Sequence, residues 1–276
     1  KLCNRTFKMM PSQFREQHYL GIKGLKIIVK NELNAFLRNK GLIISQLVQP
    51  ILYYIFIVLG INSFVTNIAY EGKTISYADY ALTGILGILI ISQMTQTIYR
   101  ITIDKRYGLL ALKRQSGVSP FYYIIGMSMY PTIGICIQSS VLYIIATLFG
   151  SSIGLINYLA GIIVVIIVLY FWTSIAALIT MKINDYQRRD SIISFIITPL
   201  GFTAPAFYLI TNVPTFIKVI GYFNPLTYQL YAIRSIVFAT PANSLLIIVL
   251  VFLATLIMIS ISSFAVSKMS LVLTER

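Results

Sequence analysis

Long apolar runs separated by short polar segments dominate the pattern along the chain. Crossing about 30 Å of hydrocarbon takes roughly 20 helical residues. Six stretches reach that length: residues 42–62, 80–103, 121–149, 156–181, 191–210 and 244–266. Lipid gives backbone groups no hydrogen-bond partners, so each run is predicted to be helical. The strict two-residue alternation of a membrane barrel is absent. The fifth run contains Pro199, Gly201 and Pro205, so it is expected to kink. Residues 66–79 read as a short polar loop and 150–157 as a tight turn. Residues 211–243 are apolar but interrupted. They predict short helices that dip back into the membrane, with Pro214 and Pro225 near their starts. Ahead of the first run, Ile22, Leu25, Val29, Leu33 and Phe36 recur at helical spacing beside Lys23, Lys26 and Lys30. That pattern predicts a helix lying in the membrane interface, apolar side in lipid and lysines reaching for phosphates.

Composition narrows the class. Of 276 residues, 57% are hydrophobic and 11% charged, with mean hydropathy +0.81. A soluble domain carries about 25% charged residues, so a soluble enzyme and a disordered chain are both excluded. The expected fold class is an all-α membrane protein. It forms a single transmembrane domain over 1–276: a cytoplasmic region to residue 40, a six-span bundle over 42–266 and a cytoplasmic tail from 267. The sequence starts at Lys1 without methionine, so part of the natural N-terminus is expected to precede it. The first 40 residues hold no apolar core with a cleavage site, as a secretory signal would.

The net charge of +14 is unevenly placed. Nineteen of the 22 basic residues fall on one side of the six-span scheme. Lys73, Lys218 and Arg234 fall on the other. The positive-inside rule then puts both termini in the cytoplasm. The isoleucine-rich composition points to a bacterial plasma membrane. Many of the 19 tyrosines sit near span ends, as an aromatic belt would.

Three features carry candidate function. The first is the interfacial helix. The second is the loop 104–120, DKRYGLLALKRQSGVSP. Here Leu109, Leu110 and Leu112 form apolar knobs among Lys105, Arg106, Lys113 and Arg114, a surface suited to a groove on a cytoplasmic partner. The third is polarity within the spans: Gln46, Gln49 and Tyr53 in the first, Gln93, Gln96 and Tyr99 in the second. Amides facing lipid are costly. They therefore line a substrate path or subunit interface formed by spans one, two and five, or bond neighbouring helices. Pro199 and Pro205 are read as part of that path.

The run Gly108, Leu110, Lys113-Arg114, Ser116, Val118-Ser119-Pro120 resembles the inner loop of ABC-2 type transporter permeases. The segment GYFNPLTYQLYAIR, with Asn224, Pro225, Tyr228 and Arg234, is similar to that family's block before the last span. The order of elements also matches over nearly the whole chain. Ala111 stands where many relatives carry a charge, and Gly117 where proline is common. The resemblance implies a half-transporter: two permease copies, or this chain with a sister permease, above two separate ABC ATPase subunits. It makes residues 104–116 a coupling helix, including Asp104, Arg106, Tyr107, Gly108, Leu109, Leu110, Leu112, Lys113 and Arg114. Residues 22–38 become a connecting helix, and Asn224, Pro225, Tyr228 and Arg234 an outer gate.

The chain has no G-x-x-x-x-G-K-[ST] loop, so ATP and Mg are expected in the partner chain. The six spans hold neither His nor Glu, and the single His18 and two cysteines form no metal motif. No catalytic or metal site is therefore expected, and a membrane-embedded enzyme is disfavoured. The expected function is export of an amphipathic or hydrophobic cargo such as a drug, antibiotic or lipid-like toxin. Export of a lipid-linked polysaccharide or teichoic acid is the alternative, and a sensor or scaffold the reading from another class. Membrane lipids are expected partners, nucleic acid is not.

Overall fold

The computed structural model describes residues 20–183, 185–240 and 243–268, with side chains described throughout except at 243 and 244. The expected roles of residues before 20 and of the tail beyond 268 lie outside the described residues. Helix α1, Gly21–Arg38, leads into α2, which spans Lys40–Asn62. Asn39 caps α2 by accepting the Leu42 amide. Pro50 removes one donor from α2, and the turns after it, Tyr53–Val58, run as a π-helix. A two-stranded hairpin follows, β1 Asn67–Tyr70 and β2 Lys73–Ser76. Glu71 and Gly72 form its turn, both at positive φ.

Helix α3, Tyr77–Arg106, is the axis of the molecule. Its buried residues point in every direction, among them Leu82, Ile85, Leu86, Leu89, Ile90 and Met94. An apolar helix buried all round belongs at the centre of a bundle. Gly108, at φ 70°, turns the chain into the short α4, Leu109–Gln115. The next run divides into α5, Pro120–Met127, and α6, Met129–Leu148, around Ser128. The Ser128 hydroxyl hydrogen-bonds Thr173 at 2.8 Å. Ser119 caps α5 by accepting the Tyr122 amide, with Pro120 at the first helical position. Helix α7, Leu155–Met181, packs along α3, and Trp172 from it donates to Gln229 at 2.7 Å.

Helix α8 covers 186–203 and contains a π segment, Ile193–Ile197. Two short helices follow, α9 Thr215–Phe223 and α10 Pro225–Val237, each starting beside the proline that the sequence pattern marks. Helix α11, Asn243–Ser267, closes the bundle against α7.

Among the described residues, five helices are long and apolar enough to cross a membrane: α2, α3, Pro120–Leu148, α7 and Leu245–Ser267. The fifth expected span differs. Its helix begins at Tyr186 with a charged turn and ends at Thr203, because Pro205 has no amide to continue the ladder. The expected polar loop 66–79 is instead the hairpin and the first turn of α3. The second expected span runs three residues further, so Asp104, Lys105 and Arg106 belong to its last turn and not to a separate coupling helix.

Candidate functional site

Basic residues crowd one end of the bundle, where α1, α4, the end of α3 and the start of α8 meet. Five residues in the last two turns of α3 reach α1, α4, α5, α8 and the end of α7. Arg100 pairs with Glu32 of α1, its Nε donating at 2.7 Å to Oε2. Asp104 accepts from Lys113 of α4 and, at 3.0 Å, from the Tyr123 hydroxyl of α5. Lys105 donates to the carbonyls of Met181 and Ile183, where α7 ends, at 2.7 and 2.9 Å. Arg106 lies over the Tyr186 ring of α8, 4.2 Å from its centroid. Tyr99 stacks under Arg189 of the same helix at 4.3 Å. Residues 99–106 cover two helical turns, so their side chains fan around the axis and meet neighbours on all sides.

Helix α4 sits on this hub. Leu110 is buried, 4% exposed, in a small apolar cluster with Ile28, Ile101, Val118, Tyr123 and Val266. Lys113 turns inward to Asp104, and Arg114 donates to the Val266 and Ser267 carbonyls at 2.9 and 3.1 Å. Those carbonyls are at the C-terminal end of α11, where a cation also meets the negative end of the helix dipole. The face left outward holds Tyr107, Leu109 and Leu112, which are 68%, 40% and 59% exposed. The expected trio of apolar knobs is therefore a pair, Leu109 and Leu112, with Tyr107 beside them. Leu110, Lys113 and Arg114 fasten the helix instead of rimming a docking surface. Leu110 and Lys113 are three positions apart, so a helix places both on one side, here the inner one.

Helix α1 is docked, not free in the interface. Gly24, Ile28, Glu32 and Phe36 are buried, a stripe at four-residue spacing. Ile28 lies against Gly126 of α5, where a Cβ would come within 2.5 Å of it. Phe36 meets Tyr130 edge to face at 5.1 Å, and Arg100 covers the same tyrosine ring at 4.2 Å. Phe36, placed on the lipid face by its spacing, is thus packed on protein. Leu25 and Val29 are half-buried, whereas Ile22 and Leu33 remain exposed. Burial raises the Glu32 carboxyl pKa above its ordinary value, with Arg100 and Lys113 opposing. Sequence periodicity missed Glu32, because a lone acid among lysines reads as a solvated charge.

Gln46, Gln49, Tyr53 and Gln93 bond within and between the spans. Gln93 Nε2 donates to Gln138 Oε1 at 2.8 Å and to Gln46 Oε1 at 3.3 Å, and Gln138 Nε2 donates to the Gln46 carbonyl. Gln49 accepts from Ser92 and donates to Tyr53. Gln46 and Gln93 are buried, and Gln96 and Tyr99 half-buried. These contacts join α2, α3 and α6, not the first, second and fifth runs. Gln138 was missed because it lies in the third run, whose other polar residues are hydroxyls. Pro199 lines an open apolar cavity of about 510 Å³ with Phe202, Tyr208, Phe216 and Ile220. Pro205 lies apart from it.

At the opposite end, Asn224 caps α10 through the Leu226 amide and donates to the Leu200 carbonyl at 2.7 Å. Pro225 opens α10. Tyr228 is half exposed and donates to the Tyr222 carbonyl. Arg234, expected at an outer gate, is 2% exposed. It donates to the Pro205 and Ala206 carbonyls at 2.9 and 3.1 Å and to Thr83 at 3.0 Å, and covers the Tyr80 ring at 3.7 Å. It supplies partners to backbone that the broken α8 leaves bare.

A bundle with five apolar helices of membrane-crossing length among the described residues, one of them its buried axis, is a multi-pass membrane protein. The sequence profile of the ABC-2 type transporter family matches residues 23–238, and the chain belongs to that family. It is therefore a membrane transport component and not itself the ATPase. The family in general implies an ABC ATPase partner. No curated protein matches the chain.

Proposed function

We propose that the protein is the permease subunit of an ATP-driven exporter of amphipathic or hydrophobic cargo. The observation that carries this reading is α4, apolar outward at Leu109 and Leu112 beside the preceding Tyr107 and fastened inward by Leu110, Lys113 and Arg114. Two exposed leucines on a short helix held from within, with Tyr107 just ahead of it, suit insertion into a partner's groove. The nineteen-to-three split of basic residues supports placing that end in the cytoplasm of a bacterial plasma membrane. There a separate ABC ATPase, which carries ATP and Mg, would meet it. Closure of the ATPase pushes on α4, and the hub on α3 passes the push to α1, α7 and α8. The work is a shift between two conformations that hold cargo differently, with no bond made. A second permease copy or a sister permease completes the path, and the α9–α10 segment forms its outer end. Spans without His or Glu favour cargo that needs no counter-charge.

Leu112→Asp tests the reading. The variant places a charge on the exposed face and leaves the buried contacts intact. Recovery of the cognate ATPase with the purified permease is expected to fall at least about tenfold, at unchanged thermal midpoint. Full recovery of an ATPase that still responds to the permease would overturn the docking role.

A further inference from the structure

Helix α8 packs on the bundle through one narrow stripe. Its buried residues are Ile193, Ile197 and Gly201, a single stripe at four-residue spacing. Gly201 rests on Ile91 of α3 at ordinary contact distance. The other faces are open, with Phe195 82%, Ile196 54% and Phe202 59% exposed. Both ends are gripped by polar groups. At the far end Asn224 and Arg234 hold the carbonyls of Leu200, Pro205 and Ala206. At the basic end the grip is a ladder of alternating rings and guanidinium groups, Tyr99, Arg189, Tyr186 and Arg106. Arg189 lies 4.3 Å from the Tyr99 centroid and 4.7 Å from that of Tyr186, whose ring Arg106 approaches to 4.2 Å. Arg189 Nε also donates to Asp190 at 2.9 Å.

A guanidinium over a ring face keeps its attraction as it slides, because the quadrupole acts over the whole face. Interdigitated side chains have no such freedom, since they hold one register. Such a ladder therefore joins two helices while letting them shift. The π segment lies four residues beyond Arg189, and one wide turn there gives the helix a local alternative to its α-helical ladder. A narrow packing stripe, a sliding grip at one end and a wide turn next to it together describe a lever.

We propose that the Tyr99–Arg189–Tyr186–Arg106 ladder is the joint through which displacement of α4 and the α3 hub reaches α8. Arg189 and Tyr186 are then positioning residues for coupling, acting through α8 and not by touching cargo. This rests on the permease reading above and deepens it: α8 is the element that the partner's ATP cycle moves. The two tyrosines on either side of Arg189 need only their rings, so a phenylalanine serves in place of Tyr186.

The experiment uses the permease assembled with its cognate ATPase in lipid nanodiscs, with Cys3 and Cys136 replaced. Spin labels at Phe202→Cys on α8 and Ile163→Cys on α7, both exposed sites, report the α7–α8 distance by pulsed resonance with and without a non-hydrolysable ATP analogue. The unmodified ladder is expected to give a nucleotide-dependent shift in the distance distribution. Arg189→Gln and Tyr186→Leu are expected to abolish it, and Tyr186→Phe to retain it. Crosslinking from Leu112→Cys to the ATPase is expected to persist in all four proteins. An equal shift in Arg189→Gln, or no shift in the parent while the Leu112→Cys crosslink forms, overturns the joint and leaves the permease reading standing. Absence of both crosslink and shift in the parent removes the permease reading itself.

Discussion

Arg234 and Glu32 show how much a single charge depends on what surrounds it. Counted along the sequence, Arg234 is one of three cations on the sparse side and reads as part of a gate. In the fold it is buried and bonded to two carbonyls, one hydroxyl and one ring. Nothing within its own helix signals those partners, which come from residues 28 to 154 positions away. Arg234→Gln leaves the Pro205 and Ala206 carbonyls short of donors, at about 1–3 kcal/mol for each buried group left unpaired. A clear drop in thermal midpoint in detergent is expected, and an unchanged midpoint would contradict this account of Arg234. Glu32 gives a pH dependence of opposite character to a surface acid. Its pKa is raised in the docked state because burial outweighs Arg100 and Lys113. The folded state therefore holds the proton more tightly than the unfolded chain does. That contribution is fully present below the ordinary carboxyl value of 4.5 and is lost as pH rises through the raised one. The thermal midpoint of the protein minus that of Glu32→Gln is expected to fall as pH climbs from about 4.5, and a flat difference would contradict the assignment.

At the scale of elements, continuous apolar runs made five crossing helices legible, because a run of that length has one stable form in lipid. The fifth run was less so. Its kink was legible from Pro199 and Pro205, but its early end and its charged first turn were not, since hydropathy averages over both. The hairpin β1–β2 went unread because its turn is Glu-Gly and not the usual Asn-Gly or Asp-Gly, so its strands looked like loop. Helix α4 was legible as an element and only half legible as a surface. Which leucine faces outward depends on where Gly108 turns the chain, and a seven-residue helix has too few turns for periodicity to fix that. The amide cluster was read either as a path or interface of spans one, two and five or as bonding between helices, and the glutamines bond one another across α2, α3 and α6. Gly84 shows how closely two of these elements meet: a Cβ there would lie 1.9 Å from the Ala206 carbonyl oxygen. Gly84→Ala must displace the backbone where α8 ends. A loss of about 1–3 kcal/mol is expected, as for other overpacked sites, seen as a lower thermal midpoint. Retention of full stability would show that this end of α8 is not seated on α3.

For the whole molecule, a shared axis explains why so few polar contacts reach so many elements. Helix α3 runs the length of the bundle, meets the α8 terminus and Arg234 at one end and gathers α1, α4, α7 and α8 at the other. One helix thereby joins the basic end to the region of α9 and α10 without a separate linkage. The family assignment was within reach of the sequence because element order and two local motifs coincide over most of the chain. Cargo was not, because the cavity beside Pro199 and the spans carry shape and apolarity but no distinctive chemical group.

The central claim is that the outward face of α4 is where an ATPase delivers its work. Site-directed crosslinking in cells producing this chain with its cognate ABC ATPase tests it most directly. Leu112→Cys, in a background lacking Cys3 and Cys136, is expected to form a covalent adduct with the ATPase chain, whereas Leu110→Cys, facing the interior, is expected to form none. An adduct from Leu110→Cys alone, or none from Leu112→Cys in a complex that hydrolyses ATP, would contradict the account.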